Sequence, residues 1–288
     1  MAQAKSKIPA KVSARISAGL KKFQPILNSA KVRDLNESDT ATIVTDMLAE
    51  IFGYDKFHEV TSEHQIKSTY CDLAVEIEGK LRLLIEVKAI GLELKEAHTK
   101  QAIDYAANQG VEWVALTNGI NWKVYRVTFG MPIGQELVLD LDVSTLSHKT
   151  SAHVEALYLL SREGLLKAAL PDYHIQLQAT NRFVLGAVLL SDPVLNLVRR
   201  ELSRMAPTIK IQTSDIKETL MREVLKREIL EGEKAEEAQK RVKRALAAKQ
   251  RPKKSSEAIA VPAVAAESPP EQPPYTGYHP QGFGPGGD

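Results

Sequence analysis

Away from the turn, charged side chains stand in two largely apolar runs of the stretch Tyr70–Lys88: Asp72 in the first run, Glu86 and Lys88 near the end of the second. Glu78-Gly79-Lys80 lies between the runs and reads as the turn of a β-hairpin. Side chains alternate along a strand, so Glu86 and Lys88 point to one face while Ile85 and Val87 point to the other. If the hairpin pairs symmetrically about Gly79, Asp72 lies opposite Glu86, give or take one residue of register. Two carboxylates and an ammonium then converge on one patch, a trio that can hold a divalent cation and assist attack on a phosphodiester. The plainer reading is an exposed hairpin whose outer charges pair weakly. Glu76, Glu78, Lys80 and Arg82 fit that reading because they surround the turn. Asp72, Glu86 and Lys88 fit it less well, being distant from the turn and beside the most apolar segment.

The elements that must carry this patch follow from periodicity. Residues 8–27 place Ile8, Val12, Ile16, Leu20, Phe23 and Leu27 three or four apart, an amphipathic basic helix interrupted at Gly19 and ended near Pro25. A solvated flanking helix is the simpler role for it; docking on the domain or on a DNA backbone is the alternative. Asn36–Gly53 reads as a helix capped by Asn36, Ser38 or Asp39, with Glu37 at its entrance and Gly53 as its stop. Phe57–Ile66 reads as a strand followed by a polar turn, then comes the hairpin. Residues 93–109 read as a helix, with Gln101 and Tyr105 on one face. Trp113–Thr117, Asn121–Val127 and Gln135–Val143 read as strands, the first two joined through Asn118-Gly119. The fold class expected is α/β, a central mixed sheet flanked by helices. From about Ser151 the pattern turns helical, and Ser214–Lys249 reads as one long, highly charged helix.

The domain organisation expected is a basic helix or arm over 1–30, a core domain over 31–147, a helical region over 148–249 and a Pro/Ala/Gly-rich disordered tail over 250–288. The 288 residues carry a net charge of only +2, so overall balance does not announce a nucleic-acid binder. The distribution is more telling, since residues 1–31 hold seven Lys or Arg and no acidic residue. Such a basic N-terminus has the character of an organelle transit peptide, but no other feature supports an organelle, so a basic arm is the better reading. Cys71 is the single cysteine and excludes an internal disulfide, which fits a reducing cytoplasm. No apolar run approaches membrane-spanning length. The histidines show no ligand spacing.

An ordered set of short motifs resembles a known family. Asn36-Glu37-Ser-Asp-Thr40, Phe52-Gly-Tyr-Asp55, Asp72, Glu86-Val-Lys88-Ala89, Gln101-Ala-Ile-Asp-Tyr105-Ala106 and Leu116-Thr-Asn-Gly119 with Trp122 together look like the N-terminal nuclease domain of type I restriction enzyme R subunits. That domain belongs to the PD-(D/E)xK superfamily with a restriction-endonuclease-like core, and the resemblance covers about residues 30–130. It implies that Asp72 and Glu86 are metal-binding carboxylates, with the Val87 carbonyl and waters completing the shell of Mg²⁺ or Mn²⁺. It implies that Lys88 is the catalytic lysine, that Gln101 and Tyr105 orient it or the backbone phosphate, and that Glu37 assists the metal. Cys71 stands before Asp72 where the family pattern has Pro, a departure many members share.

Outside that core the resemblance ends. The chain contains no Gly-x-x-x-x-Gly-Lys-Ser/Thr loop and no motor-sized region, so ATP is not an expected ligand. The first functional reading is a stand-alone, cytoplasmic, Mg²⁺-dependent DNA endonuclease related to restriction systems. The competing reading is a non-cleaving nucleic-acid-binding or regulatory protein that keeps the fold. A third is a scaffold assembled through helix 214–249, by self-association or with other restriction-modification subunits.

Overall fold

The computed structural model describes residues 8–66 and 69–250. The outer part of the basic arm, with Lys5 and Lys7, and the Pro-rich tail beyond 250 lie outside the described residues. The chain divides into two units, Met1–Val242 and Lys243–Asp288, and the first holds the sheet and the charged patch.

Helix α1 (Ala10–Val32) buries Val12, Ile16, Leu20, Phe23, Leu27 and Ala30 in the main core. It neither stops at Gly19 nor ends at Pro25, as its sequence suggests, but runs through both. Gly19 is the point of closest approach to the following helix, since a Cβ there would lie 2.8 Å from Ile51 Cγ1. A proline inside a helix costs about 3 kcal/mol. Burying Leu20, Phe23 and Leu27 at about 1.5–3 kcal/mol each outweighs it. The predicted solvated flank is therefore an integral part of the core.

Helix α2 (Glu37–Glu50) starts where Asn36 Oδ1 accepts the Asp39 N–H at 2.9 Å. It ends at Glu50, capped by Ile51, and the chain turns away at Gly53, whose φ of +82° admits glycine readily. The Arg15 guanidinium lies against Gly53, donating to the Ile51 and Phe52 carbonyls at 3.2 and 3.1 Å. It also makes a two-pronged pair with Glu163, both contacts 2.7 Å. The hydrogen bonds from Arg15 are the leading cause holding the Glu163 carboxyl below its ordinary value. A carboxylate with a depressed folded pKa stabilises fully above its unfolded value and loses that contribution as pH falls through the folded one. Arg15→Ala is therefore expected to cost about 2 kcal/mol at pH 7 in urea unfolding, and to flatten the loss of stability below pH 4.5. Parallel stability curves for parent and variant below that pH would contradict the assignment.

The sheet follows chain order: β1 (Val60–Ile66), β2 (Thr69–Ile77), β3 (Lys80–Val87), β4 (Trp113–Thr117), β5 (Asn121–Thr128) and β6 (Gly134–Asp142). All neighbours are antiparallel except β3 and β4, which are parallel. That pair needs a crossover, supplied by a 3₁₀ turn (Glu96–Thr99) and helix α3 (Lys100–Gln109). The helix expected over 93–109 thus starts late. Leu94 is buried beneath α3, and Lys95 is extended (φ −112°, ψ 153°), which keeps this entry out of the helix.

One face of the hairpin, with Leu73, Val75, Ile77, Leu83, Ile85 and Val87, packs in the main core with α1 and α2. The other, with Ala74 and Leu84, packs with Val114, Leu116 and the α3 residues Ala102, Ile103, Tyr105 and Ala106. The first helices beyond residue 147 share the main core. Val154, Leu157 and Tyr158 of α4 (Ser151–Tyr158) are buried there, and Tyr54 Oη donates to the Leu160 carbonyl at 2.6 Å. After α5 (Arg162–Leu166), α6 (Ala169–Ala179) inserts His174 between Arg126 of β5 (3.0 Å) and Glu136 of β6 (2.8 Å).

Helices α7 (Arg182–Leu189) and α8 (Asp192–Met205) come next. The single helix expected over 214–249 is instead several pieces: α9 (Thr213–Thr219), a π turn (Leu220–Val224), α10 (Arg227–Leu230) and α11 (Glu233–Gln250). Leu225 and Glu231 are extended and Gly232 has φ +92°, which break the path. The breaks bring Ile229 against Gly186 of α7, packing that one straight helix could not provide. Among the described residues no helix is long and apolar enough to cross a membrane.

Candidate active site

The site begins with a hairpin whose register is set in two steps. Glu78 and Gly79 both have positive φ (55° and 69°), and Ile77 pairs with Lys80, the geometry of a two-residue I′ turn. That turn alone would bring Ile85 opposite Asp72. Glu76 pairs with Leu81 but Val75 pairs with Leu83, so Arg82 is an extra residue, a β-bulge. Beyond it Leu73 pairs with Ile85, and continuing that register sets Asp72 beside Glu86. Leu81-Arg82-Leu83 reads as ordinary alternation, and nothing in the sequence marks the bulge.

Asp72 is partly buried and its Oδ2 accepts the Val87 N–H at 2.7 Å. Lys88 Nζ donates to Glu86 Oε1 at 2.8 Å and to Glu37 Oε2, at the start of α2, at 3.3 Å. The backbone at Lys88 is held from β4, where the Thr117 carbonyl accepts the Lys88 N–H at 2.8 Å. The group lies at the carboxyl ends of the parallel strands β3 and β4, the usual position for a ligand site in such sheets.

Glu86 is only 5 % exposed. Its Oε2 is buried with no hydrogen-bond partner among the described residues. Burial pushes its pKa above the ordinary carboxylate value; the Lys88 hydrogen bond opposes this, and the Asp72 charge adds to it. For Lys88, burial pulls the pKa down, but the Glu86 hydrogen bond and the charges of Glu86, Asp72 and Glu37 leave it above the ordinary lysine value. The Cys71 thiol, buried and directed at the Ile85 carbonyl (3.3 Å), is pushed up to about 12 by burial and then by Glu86 and Asp72. It is a packing residue here.

A carboxylate whose folded pKa is raised opposes folding once ionised. Glu86→Gln is therefore expected to melt no lower than the parent at pH 7, because the ionised form is the one burial penalises. A fall of several degrees would show that the Glu86–Lys88 pair stabilises the fold.

The structure thus brings Asp72, Glu86, Lys88 and Glu37 together, with Val87 joining through its N–H. Gln101 and Tyr105 differ in burial. Gln101 is exposed on the first turn of α3, whereas Tyr105 is 1 % exposed in the core with Cys71, its hydroxyl pKa raised first by burial. Four of the histidines hold local structure: His58 meets Asp55, His98 accepts from the Lys95 N–H, His153 accepts from the Ser147 N–H, and His174 is buried between Arg126 and Glu136.

No group of three or more His, Cys, Asp or Glu side chains spaced to hold a metal occurs among the described residues. The two-carboxylate set still fits a hard cation, because Glu86 Oε2 is an anionic oxygen already stripped of water and of donors. One residue that carries no site role in the sequence reading meets the group, Thr117, whose carbonyl accepts the Lys88 N–H, and Asn118 follows it in the chain. In the sequence, Asn118-Gly119 reads as a turn within one of the motifs that carry the resemblance.

Neither the curated proteins nor the solved structures give a match. A family does match, across about a third of the chain, and its span runs from within α2 to the start of β6 and includes Asp72, Glu86, Lys88, Gln101, Tyr105 and Asn118 but not Glu37. Residues 43–137 match the type I restriction enzyme R protein N terminus.

Proposed function

We propose that the chain is a divalent-metal-dependent endonuclease that hydrolyses DNA phosphodiester bonds in a cytoplasmic restriction role. The family match supports a restriction-related role and interaction with DNA. The observation that carries the finer reading is the buried, partnerless Oε2 of Glu86, one strand pairing from Asp72 and 2.8 Å on its other oxygen from Lys88.

Asp72 and Glu86 would hold Mg²⁺ or Mn²⁺, with the Val87 carbonyl as a further oxygen of the same strand end. The chemistry such an ion supplies is polarisation of a phosphoryl oxygen and a lowered pKa for an attached water. Lys88, kept protonated by its acidic neighbours, orients the attacking water or meets the charge that grows on the phosphate. Glu37 holds the lysine from the α2 side. Tyr105 acts by packing beneath Cys71, and Gln101, on the exposed side of α3, can meet a backbone phosphate.

The test is cleavage of supercoiled and linear DNA by the full chain with Mg²⁺, with Mn²⁺ and with EDTA. Nicking or cutting that requires the ion is the expected result. DNA binding with no cutting under any ion would overturn it in favour of a binding or regulatory protein that retains the fold.

A further inference from the structure

Asn118 is 4 % exposed, and both ends of its side-chain amide are in use. Oδ1 accepts the Ile120 and Asn121 N–H groups at 3.1 and 2.7 Å, which closes the β4–β5 turn. That is the ordinary work of an asparagine in a turn. The other end does something the turn does not need. Nδ2 donates at 2.9 Å to the carbonyl of Leu92, 26 residues earlier in the chain.

Leu92 ends the short segment that leaves the site after Glu86-Val87-Lys88. Among the described residues three backbone hydrogen bonds also hold this segment, Lys88 N–H to the Thr117 carbonyl (2.8 Å), Ile90 N–H to the Leu35 carbonyl (3.3 Å) and Leu92 N–H to the Ala89 carbonyl (2.9 Å), and the Ile90 side chain is buried in the main core. The Thr117 and Leu35 contacts act at residues 88 and 90, and the Ala89 contact is internal to the segment. The tie from Asn118 fixes its far end to β4, the strand that pairs with β3. Asn118 and Thr117 are adjacent, so one turn grips the segment at both of its ends. The turn is itself held rigid, since Gly119 has φ +83°, Thr117 Oγ1 accepts the Gly119 N–H and the Trp122 indole donates to the Gly119 carbonyl.

We propose that Asn118 is a positioning residue for Lys88, fixing through Leu92 the segment 88–92 and so the place of the lysine ammonium between Glu86 and Glu37. The catalytic part of this proposal rests on the nuclease reading above; the tether itself does not.

Asn118→Asp tests it with little change of shape. The carboxylate keeps an acceptor for the turn, loses the donor to Leu92 and sets two oxygens against each other. Asn118→Ser is the second variant, since its short hydroxyl can serve the turn but cannot reach Leu92. Two readouts use the full chain without metal or DNA. Trace acetylation, quantified by mass spectrometry, is expected to label Lys88 several-fold faster in both variants, with Lys22 and Lys56 as unchanged references. Amide exchange is expected to rise in a peptide covering 88–92 and to stay constant in β5. Unaltered Lys88 labelling would overturn the proposal, and so would exchange that rises equally throughout the sheet, which would make Asn118 a general structural residue. In the cleavage assay kcat is expected to fall about 10- to 100-fold with KM unchanged. If the parent does not cut, the nuclease reading fails while labelling and exchange still decide the tether.

Discussion

Lys88→Ala is expected to lower kcat for metal-dependent cleavage about 10²–10³-fold, the usual loss for one preorganised donor to a developing negative charge. DNA affinity and KM should change little, because an interaction made only in the transition state appears in kcat alone. The variant leaves Glu86 buried without its 2.8 Å partner, and a carboxylate in that position takes up a proton rather than stay charged and bare. Charge and packing are separated by Lys88→Gln, whose amide can still donate to Glu86. An equal loss in both variants assigns the effect to the ammonium. Cutting within twofold of the parent in either one would remove Lys88 from the chemistry.

The second large effect is on the fold. Phe52 is fully buried where α2 ends, its ring meeting Trp122 edge to face at 5.3 Å between centroids. Its carbonyl also accepts from Arg15 and from the Arg162 N–H, so the residue joins α1, α2, β5 and α5. Phe52→Ala is expected to cost about 3–5 kcal/mol, transfer and cavity together. The measurement is the urea midpoint at constant slope. A cost below about 1 kcal/mol would mean that this corner can collapse on the cavity, contrary to its close contacts. Because Trp122 also donates to the Gly119 carbonyl, the turn beside the site should loosen in the same variant.

Much of this arrangement is legible in the sequence. Glu86 and Lys88 share a strand face because alternation allows nothing else, and β4 reads as a buried strand from its unbroken apolar run. The convergence of Asp72 with Glu86 is legible only to within one residue. The deciding feature is the bulge at Arg82, which sends Leu81 and Leu83 to opposite faces although their sequence reads as ordinary alternation. The length of α1 is not legible, because local rules stop a helix at Pro25, whereas the packing that carries it to Val32 is tertiary. The breaks between 219 and 233 escape for the same reason: charged helix formers fill that stretch, and the contact of Ile229 with Gly186 that goes with its folding back is tertiary. Asn118 is visible as a turn residue, but its grip on Leu92 spans 26 residues and has no local signature. Gln101 and Tyr105, one helical turn apart, divide between solvent and core because the face they share runs along the border of the α3 packing.

Whether Asp72 and Glu86 form one cation site is decided by titrating Mn²⁺ into the full chain without DNA. Parent protein, Asp72→Asn and Glu86→Gln are compared by calorimetry or by the loss of the free-ion paramagnetic signal. Both substitutions keep the shape of the side chain, and asparagine can still accept the Val87 N–H, so the fold is expected to persist. One ion held by the parent, with affinity lowered at least about tenfold in each variant, is the expected result. Undiminished binding in either variant, or no ion held by the parent, would contradict it.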